Sequence, residues 1–260
     1  MRIVVWNCRM ALAKKREMLY QLRPDIAVIP ECSRNSMLVC KAEGFDTCWW
    51  GENQHKGLGV LAANPWTLEA FGKPQQQLTG QRLPRQSLMR QNLPRQKWIA
   101  PVWVRGPSDF LLLAVWACPV GSEREKNYVG QIHEAIVRHP GWFAASTPTV
   151  ICGDFNSNRI FDPGRKKRSH SSVVKLLDER GIGSAYHAFF SEDHGVETRP
   201  TYYFWHRKER CFHLDYIFLP RGWIDRVTDF KVGTYQQWRP ASDHVPILVD
   251  IAEENQGQRN

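Results

Sequence analysis

The sequence predicts an α/β protein, sheet packed on sheet with helices outside, and three observations carry that expectation. Short apolar runs rich in β-branched and aromatic residues recur from one end of the chain to the other, each bounded by Gly, Pro, Asn or Asp. Three longer stretches repeat their apolar residues at helical spacing instead. No linker-like change of composition interrupts the 260 residues, so a single domain over 1–260 is expected.

Taken in order, Ile3–Trp6 reads as a strand, because β-branched residues and a Trp run up to a breaking Asn7. Ala13–Leu22 reads as a helix with Met18, Leu19 and Leu22 on one side. Ile26–Ile29 and Leu58–Ala62 are strand runs, followed by Ile99–Val104 and Phe110–Trp116. Glu123–Arg138 returns to helical spacing through Tyr128, Ile132, Ala135 and Ile136. Thr149–Ile151 is a strand, and Ser171–Arg180 a helix carrying Val173, Val174 and Leu177, stopped by Gly181. Tyr216–Leu219 and Val245–Ile251 complete the strands.

Composition narrows the class. Apolar residues at 42% and charged residues at 23% exclude global disorder and a collagenous chain. No run approaches the ~18 apolar residues of a membrane span, so no membrane partner is expected. The opening MRIVVWNCRM is too polar and too short in its apolar part for a signal-peptide core. The seven Cys are odd in number with no CxxC pair, and read as mostly reduced, small core residues of a cytoplasmic protein. A balance of 35 Lys+Arg against 26 Asp+Glu, net +9, favours polyanionic partners. That bias concentrates between Ala70 and Ser108, where seven cations (Lys73, Arg82, Arg85, Arg90, Arg95, Lys97, Arg105) meet no Asp or Glu. QRLPRQ at 81–86 is echoed by QNLPRQ at 91–96, too few copies for a repeat array. We read the segment as a long basic loop insertion.

Chemistry-bearing residues stand where strand runs end: Asn7 after IVVW, Glu31 after IAVIP, Asp154 and Asn156 in GDFNSN, Asp215 before YIFLP, Asp243 and His244 before VPILVDI. Any one Asx at such a place commonly makes only a turn, but turns alone do not explain five such punctuations. Oxygen donors converging on one rim suit Mg²⁺, which keeps waters and substrate phosphates beside one or two carboxylates.

WN (6–7), PDIAVIPE (24–31), HKGLGVL (55–61), GDFNSN (153–158), HLDYIFLP (213–220) and SDHVPILVDI (242–251) occur in the order found in the endonuclease/exonuclease/phosphatase superfamily. The chain resembles it from residue 3 to residue 251, and within it the exodeoxyribonuclease III and apurinic-endonuclease branch. The resemblance implies a four-layer αββα sandwich, two mostly antiparallel β-sheets face to face with helices outside. It also implies a phosphodiester hydrolase using Mg²⁺, with Mn²⁺ able to substitute. By the same resemblance Glu31, Asn7 and Asp243 are the metal-side residues, and Asp154 orients or deprotonates the attacking water. Asn156 donates to phosphoryl oxygens, and Asp215 holds the phosphate-site imidazole of His244. Whether Asp154 or His244 is the base stays open.

There is one departure from the family pattern. The His or Tyr that the family places two or three residues before a Pro after the central strand is absent from AVWACPV, where Trp116 and Ala117 stand instead. Lys56, His170 and Tyr128 are candidates to compensate, and Cys118 reads as a buried thiol. Arg82, Arg85, Arg90 and Arg95, with Trp205 in FWHRKER (204–210), are the candidate nucleic-acid contacts. RKKR at 165–168 reads as a solvated basic surface. The first reading is a monomeric nuclease acting on DNA. A phosphoesterase of the same fold acting on a small-molecule or lipid phosphate is the second, and a catalytically weakened nucleic-acid-binding module the third.

Overall fold

Strand β1 (Arg2–Val5) and helix α1 (Leu12–Tyr20) lead into β2 (Ile26–Cys32), which returns parallel to β1, Ile3 opposite Ile26. The computed structural model describes residues 1–71, 99–119, 128–144, 146–162 and 167–253. Helix α2 (Arg34–Ala42) and strands β3 (Asp46–Asn53), β4 (Lys56–Ala62) and β5 (Thr67–Ala70) follow. Next come β6 (Ile99–Arg105), β7 (Phe110–Trp116), α3 (Val129–Arg138), β8 (Thr149–Asp154) and α4 (His170–Asp178). The last part holds β9 (Ile182–Ser184), α5 (Ala185–Phe190), β10 (Tyr202–Tyr203), β11 (Cys211–Phe212), β12 (Asp215–Pro220), α6 (Arg221–Ile224), β13 (Val227–Val232), α7 (Tyr235–Trp238) and β14 (Ile247–Ile251).

Two six-stranded sheets carry the molecule, ordered β13-β14-β1-β2-β4-β3 and β5-β6-β7-β8-β12-β9. Each is antiparallel except for one central parallel pair, β1 with β2 and β7 with β8. A parallel pair needs a crossover, which α1 supplies in the first sheet and α3 in the second.

Alternation along the strands sorts the core into layers. Ile3, Val5, Ile26 and Val28 face Leu112, Ala114, Val150 and Ile217 between the sheets. Val4, Ala27 and Ile29 turn outward against Leu12, Leu19, Met37 and Cys40 of α1 and α2. Leu111, Leu113 and Ile151 turn outward against Ile132, Ile136, Val173 and Leu177 of α3 and α4. Full burial of each such side chain contributes roughly 1.5–3 kcal/mol. The expected four layers, helix–sheet–sheet–helix, are present, and all seven cysteines are free.

The expected strands recur with small changes at their ends, and Phe110–Trp116 coincides with β7. The expected helix at 13–22 is 12–20, and that at 171–180 is 170–178. The helix expected from Glu123 starts at Val129, with 123–127 outside the described residues. Sequence periodicity missed α2, α5 and the edge strands β3, β5, β9 and β13. The edge strand β3 has no fully buried position, so no apolar alternation marks it. Most of the basic insertion, 72–98, lies outside the described residues. So do 165 and 166 of the RKKR run. Among the described residues, no helix is long and apolar enough to cross a membrane.

Candidate active site

The two parallel pairs set the geometry. Asn7 lies two residues past the end of β1, Glu31 is the next-to-last residue of β2, and β8 ends at Asp154. The antiparallel β12 begins at that same end, with Asp215 directly opposite Asp154. β4 starts there with Lys56, and His244 lies just before β14. Residues far apart in sequence thus meet at one end of the sandwich.

Local backbone detail aims them. The β2–β4 register slips between Pro30 and Cys32, leaving Glu31 as the extra residue of a bulge with φ of 60°. Such a bulge re-aims a side chain that regular alternation would point elsewhere. In GDFN, Gly153 has φ of 144°, and a Cβ there would lie 1.9 Å from the Val115 carbonyl oxygen of β7. Only glycine permits that approach, which sets Asp154 beside the end of β7. Asn156 turns the chain back with φ of 44°.

Asp154 is fully buried and held on both oxygens. Its Oδ1 accepts from the Asn156 amide N–H at 2.8 Å. Its Oδ2 accepts from Asn7 Nδ2 and Asn156 Nδ2, each at 2.9 Å. His244, 4% exposed, donates from Nδ1 to Asp215 Oδ2 at 2.8 Å, and its Nε2 lies 3.9 Å from Asp154 Oδ2. One donor atom from each of Asp154, Asp215 and His244 falls within 4.8 Å of the others. Thr201 fixes the pair from behind: its hydroxyl donates to Asp215 Oδ2 at 2.7 Å. The Thr201 oxygen in turn accepts from the Leu214 and Asp215 backbone N–H groups at 2.9 and 3.1 Å. Ser242 Oγ accepts from the His244 N–H at 3.1 Å and donates to the Asn7 carbonyl at 2.8 Å, tying β1 to the His244 loop.

Burial and mutual charge set the protonation. Burial opposes a charged His244 ring, but Asp215 and Asp154 outweigh it and raise the pKa to about 9. For Asp154, burial pushes the pKa up to about 7; His244 works against that rise, and Asp215 adds to it. The arrangement is an imidazolium between two carboxylates, one of them close to taking a proton at neutral pH.

Glu31 is the carboxylate at the mouth of this cluster. Its Oε2 lies 2.9 Å from Lys56 Nζ, and its Oε1 is 3.5 Å from Asn7 Nδ2. Its carboxylate is thus held by a cation, and oxygen donors of this kind fit a hard divalent ion that keeps most of its waters. Lys56 also lies 5.1 Å over the Trp116 ring, next to the place of the missing His or Tyr. Of the three candidates to compensate, Lys56 alone adjoins Glu31. His170 belongs to a different cluster, and Tyr128 precedes α3.

Asn7, Asn156 and Asp243 each make contacts within the protein. Asn7 faces the carboxylates with its amide NH₂, while its Oδ1 accepts from the Arg9 N–H at 3.0 Å. Its NH₂ thereby clamps both acids. Asn156 is expected to donate to phosphoryl oxygens, yet its Nδ2 bonds Asp154 and, at 2.9 Å, the Ala117 carbonyl. Both N–H bonds are spent on positioning. Asp243 Oδ2 lies 3.6 Å from the Arg9 guanidinium Nε.

Trp205 is 64% exposed and stacks on Phe204 at 4.6 Å, with the Arg210 guanidinium 5.4 Å from its ring. Its turn reaches the site's rim through the contact of His206 with Arg9. Arg82, Arg85, Arg90 and Arg95 lie outside the described residues. Burial pushes the Cys118 thiol up to about 12, which leaves it un-ionised and no nucleophile. Sequence reasoning missed Thr201, Ser242 and Tyr202, whose ring lies 4.7 Å from that of His244. Only the spacing PT ahead of HLDY could have flagged Thr201, and it is too common to do so.

A family model described as the Endonuclease/Exonuclease/phosphatase family matches residues 4–244. No curated protein matches the chain. Among solved structures, an AP endonuclease from Archaeoglobus fulgidus is similar at 15% identity and a TM-score of 0.64, covering 96% of this chain and 99% of its own. The APE2 catalytic domain of Xenopus laevis is similar at 14% identity and 0.65, covering 96% and 91%. A single-residue variant of the 3' phosphatase NExo from Neisseria, bound to a product DNA hairpin, is similar at 13% identity and 0.60, covering 97% and 99%. At these identities the likeness is one of fold.

Proposed function

The chain belongs to the endonuclease/exonuclease/phosphatase family, and from that premise we propose that it is a Mg²⁺-dependent phosphodiesterase that hydrolyses DNA. The observation that carries the reading is the buried Asp215–His244–Asp154 series opening onto Glu31, an acid-and-imidazole line of the kind phosphoryl transfer needs. Glu31 would hold the divalent metal, which supplies Lewis acidity toward the phosphoryl oxygens. Asp154, with a pKa near neutrality, accepts a proton from the attacking water. As the water oxygen bonds to phosphorus, the P–O bond to the leaving oxygen breaks. His244 stays protonated and donates from Nε2 to the phosphoryl group, Asp215 keeping its ring in place.

Lys56 places a cation where the family's His or Tyr is missing, and we assign it a phosphate-side role that favours a working site over a weakened one. DNA as substrate rests on what the similar structures are named for, AP endonucleases and a DNA-bound phosphatase. The net charge of +9 and the acid-free 70–108 segment point the same way. We take 1–260 as one monomeric domain.

The test is a substrate panel: abasic, nicked, linear and single-stranded DNA, RNA, and a lipid or small-molecule phosphate ester. Each is assayed with Mg²⁺, Mn²⁺ or EDTA, beside Asp154→Asn. Metal-dependent DNA cleavage lost in Asp154→Asn is expected. Turnover confined to the small esters would overturn DNA as the substrate and leave the chemistry standing.

A further inference from the structure

Around Tyr216 of β12, four of the nine histidines gather with one acid. His187 sits on α5, and His194 and Glu197 on the strap between α5 and β10. His170 opens α4, and His213 precedes β12. The His187 and His194 rings stack at 3.5 Å between centroids. Glu197 Oε1 lies 3.1 Å from His187 Nε2. One donor atom from each of His187, His194 and Glu197 lies within 4.8 Å of the other two.

The surroundings orient these three groups as metal ligands are oriented. His187 Nδ1 is bonded to Ser184 Oγ at 2.7 Å, and His194 Nδ1 to His170 Nε2 at 3.1 Å. With both Nδ1 atoms engaged, Nε2 is the ligating nitrogen of each ring, and that of His187 is held by Glu197 Oε1. Glu197 Oε2 accepts from Asn158 Nδ2 and from the Gly195 N–H, each at 3.0 Å, which directs Oε1 toward the rings. Two further ring nitrogens of the cluster, His170 Nδ1 and His213 Nε2, are buried with no hydrogen-bond partner. The cluster is therefore not closed by hydrogen bonding alone. A cavity of about 490 Å³, lined by Ser184, His187, His194, Val174 and Phe218, gives an ion and its water a way in.

We propose that His187, His194 and Glu197 bind a transition-metal ion of the zinc class, with water in the fourth position, separate from the catalytic metal. Two nitrogens and one carboxylate oxygen suit Zn²⁺, whereas Mg²⁺ prefers oxygen alone. The site pins the strap that runs on through Arg199, whose carbonyl bonds His213 Nδ1 at 2.8 Å, to Thr201, the residue holding Asp215.

Metal-free protein is titrated with Zn²⁺ in excess Mg²⁺, which occupies the oxygen site, and bound metal is counted after dialysis. Wild type and Glu31→Gln are expected to retain one Zn²⁺ per chain, and His194→Asn and Glu197→Gln none. The wild-type melting temperature is expected to rise by about 5–10 °C at a hundredfold excess over Kd. Histidine-ring ¹⁵N shifts of the wild type need no variant to fold: Zn²⁺ should move His187 and His194 and leave His244 in place. Unmoved rings, no retained zinc in wild type, or equal retention in every folded variant would each overturn the site.

Discussion

His244 Nδ1 lies 2.8 Å from Asp215 Oδ2, and Asp215 is the cross-strand partner of Asp154, so one ladder rung sets both acids that flank the imidazole. Residues joined this way act as a unit, and their losses do not add. Asp215→Asn and His244→Ala should each lower kcat strongly, and the double variant little further. Fully multiplicative losses in single-turnover kinetics would show the two acting apart.

Thr201 offers a test of positioning. Its hydroxyl serves Asp215 and two buried backbone N–H groups at once. Thr201→Val should cost about 2–3 kcal/mol of stability, because those donors lose their acceptor without access to water. The His244 ring pKa should shift with it, a change that loss of packing alone would not produce. Urea unfolding and ring NMR measure the two effects.

Glu31 and Lys56 pair at 2.9 Å, so a metal arriving at Glu31 must displace the ammonium. Glu31→Gln should abolish metal-supported turnover while the protein stays folded. Lys56→Gln should lower the Mg²⁺ concentration for half-maximal activity roughly two- to fivefold, the modest effect expected of a part-exposed ion pair. It should also reduce kcat if the ammonium contacts phosphate. An unchanged Mg²⁺ requirement would show that the pair does not compete with metal.

The pH dependence has a definite sign. His244 has a folded pKa of about 9 against 6.5 for the free ring, so its stabilising contribution is complete below pH 6.5 and is lost as pH rises through about 9. Asp154 is also raised, from 3.8 to about 7, and adds a loss as pH climbs from 3.8 to 7. Metal-free protein should therefore melt at falling temperature between pH 6.5 and 9. Asp215→Asn, which removes the main support of the imidazolium, should flatten that fall. A wild-type His244 ring titrating near 6.5 by NMR would refute this.

The four arginines at 82, 85, 90 and 95 lie outside the described residues, and salt dependence tests their role directly. Replacing all four by Gln should flatten the slope of log affinity against log salt by about 3–4 units if each neutralises a duplex phosphate. Binding is measured without metal, so that no cleavage intervenes. An unchanged slope would remove the segment from the DNA interface.

The fold was legible where burial leaves a one-dimensional trace. Phe110–Trp116 is fully buried along its length and was readable to the residue. Edge strands such as β3 and β13 bury only part of one face, and their mixed sequences carry no alternation. Helix α2 has a local start signal that periodicity does not register, Ser33 capping the Ser36 N–H at 3.1 Å.

The sequence by itself determined the layered α/β class, the strand ends at which Asn7, Glu31, Asp154, Asp215 and His244 stand, and the departure at Trp116. It did so because strand breaks and apolar runs are local, and because several specific motifs occur together. Only the tertiary structure decided what these groups do to one another. The bulge at Glu31, the seating of Lys56 and the turning of Asn7 and Asn156 onto Asp154 depend on register between strands. The raised pKa of His244 depends on burial between two acids 29 and 90 residues away in sequence. The histidines at 170, 187, 194 and 213 look scattered along the chain, and packing of α4, α5 and the strap against one sheet makes them a cluster.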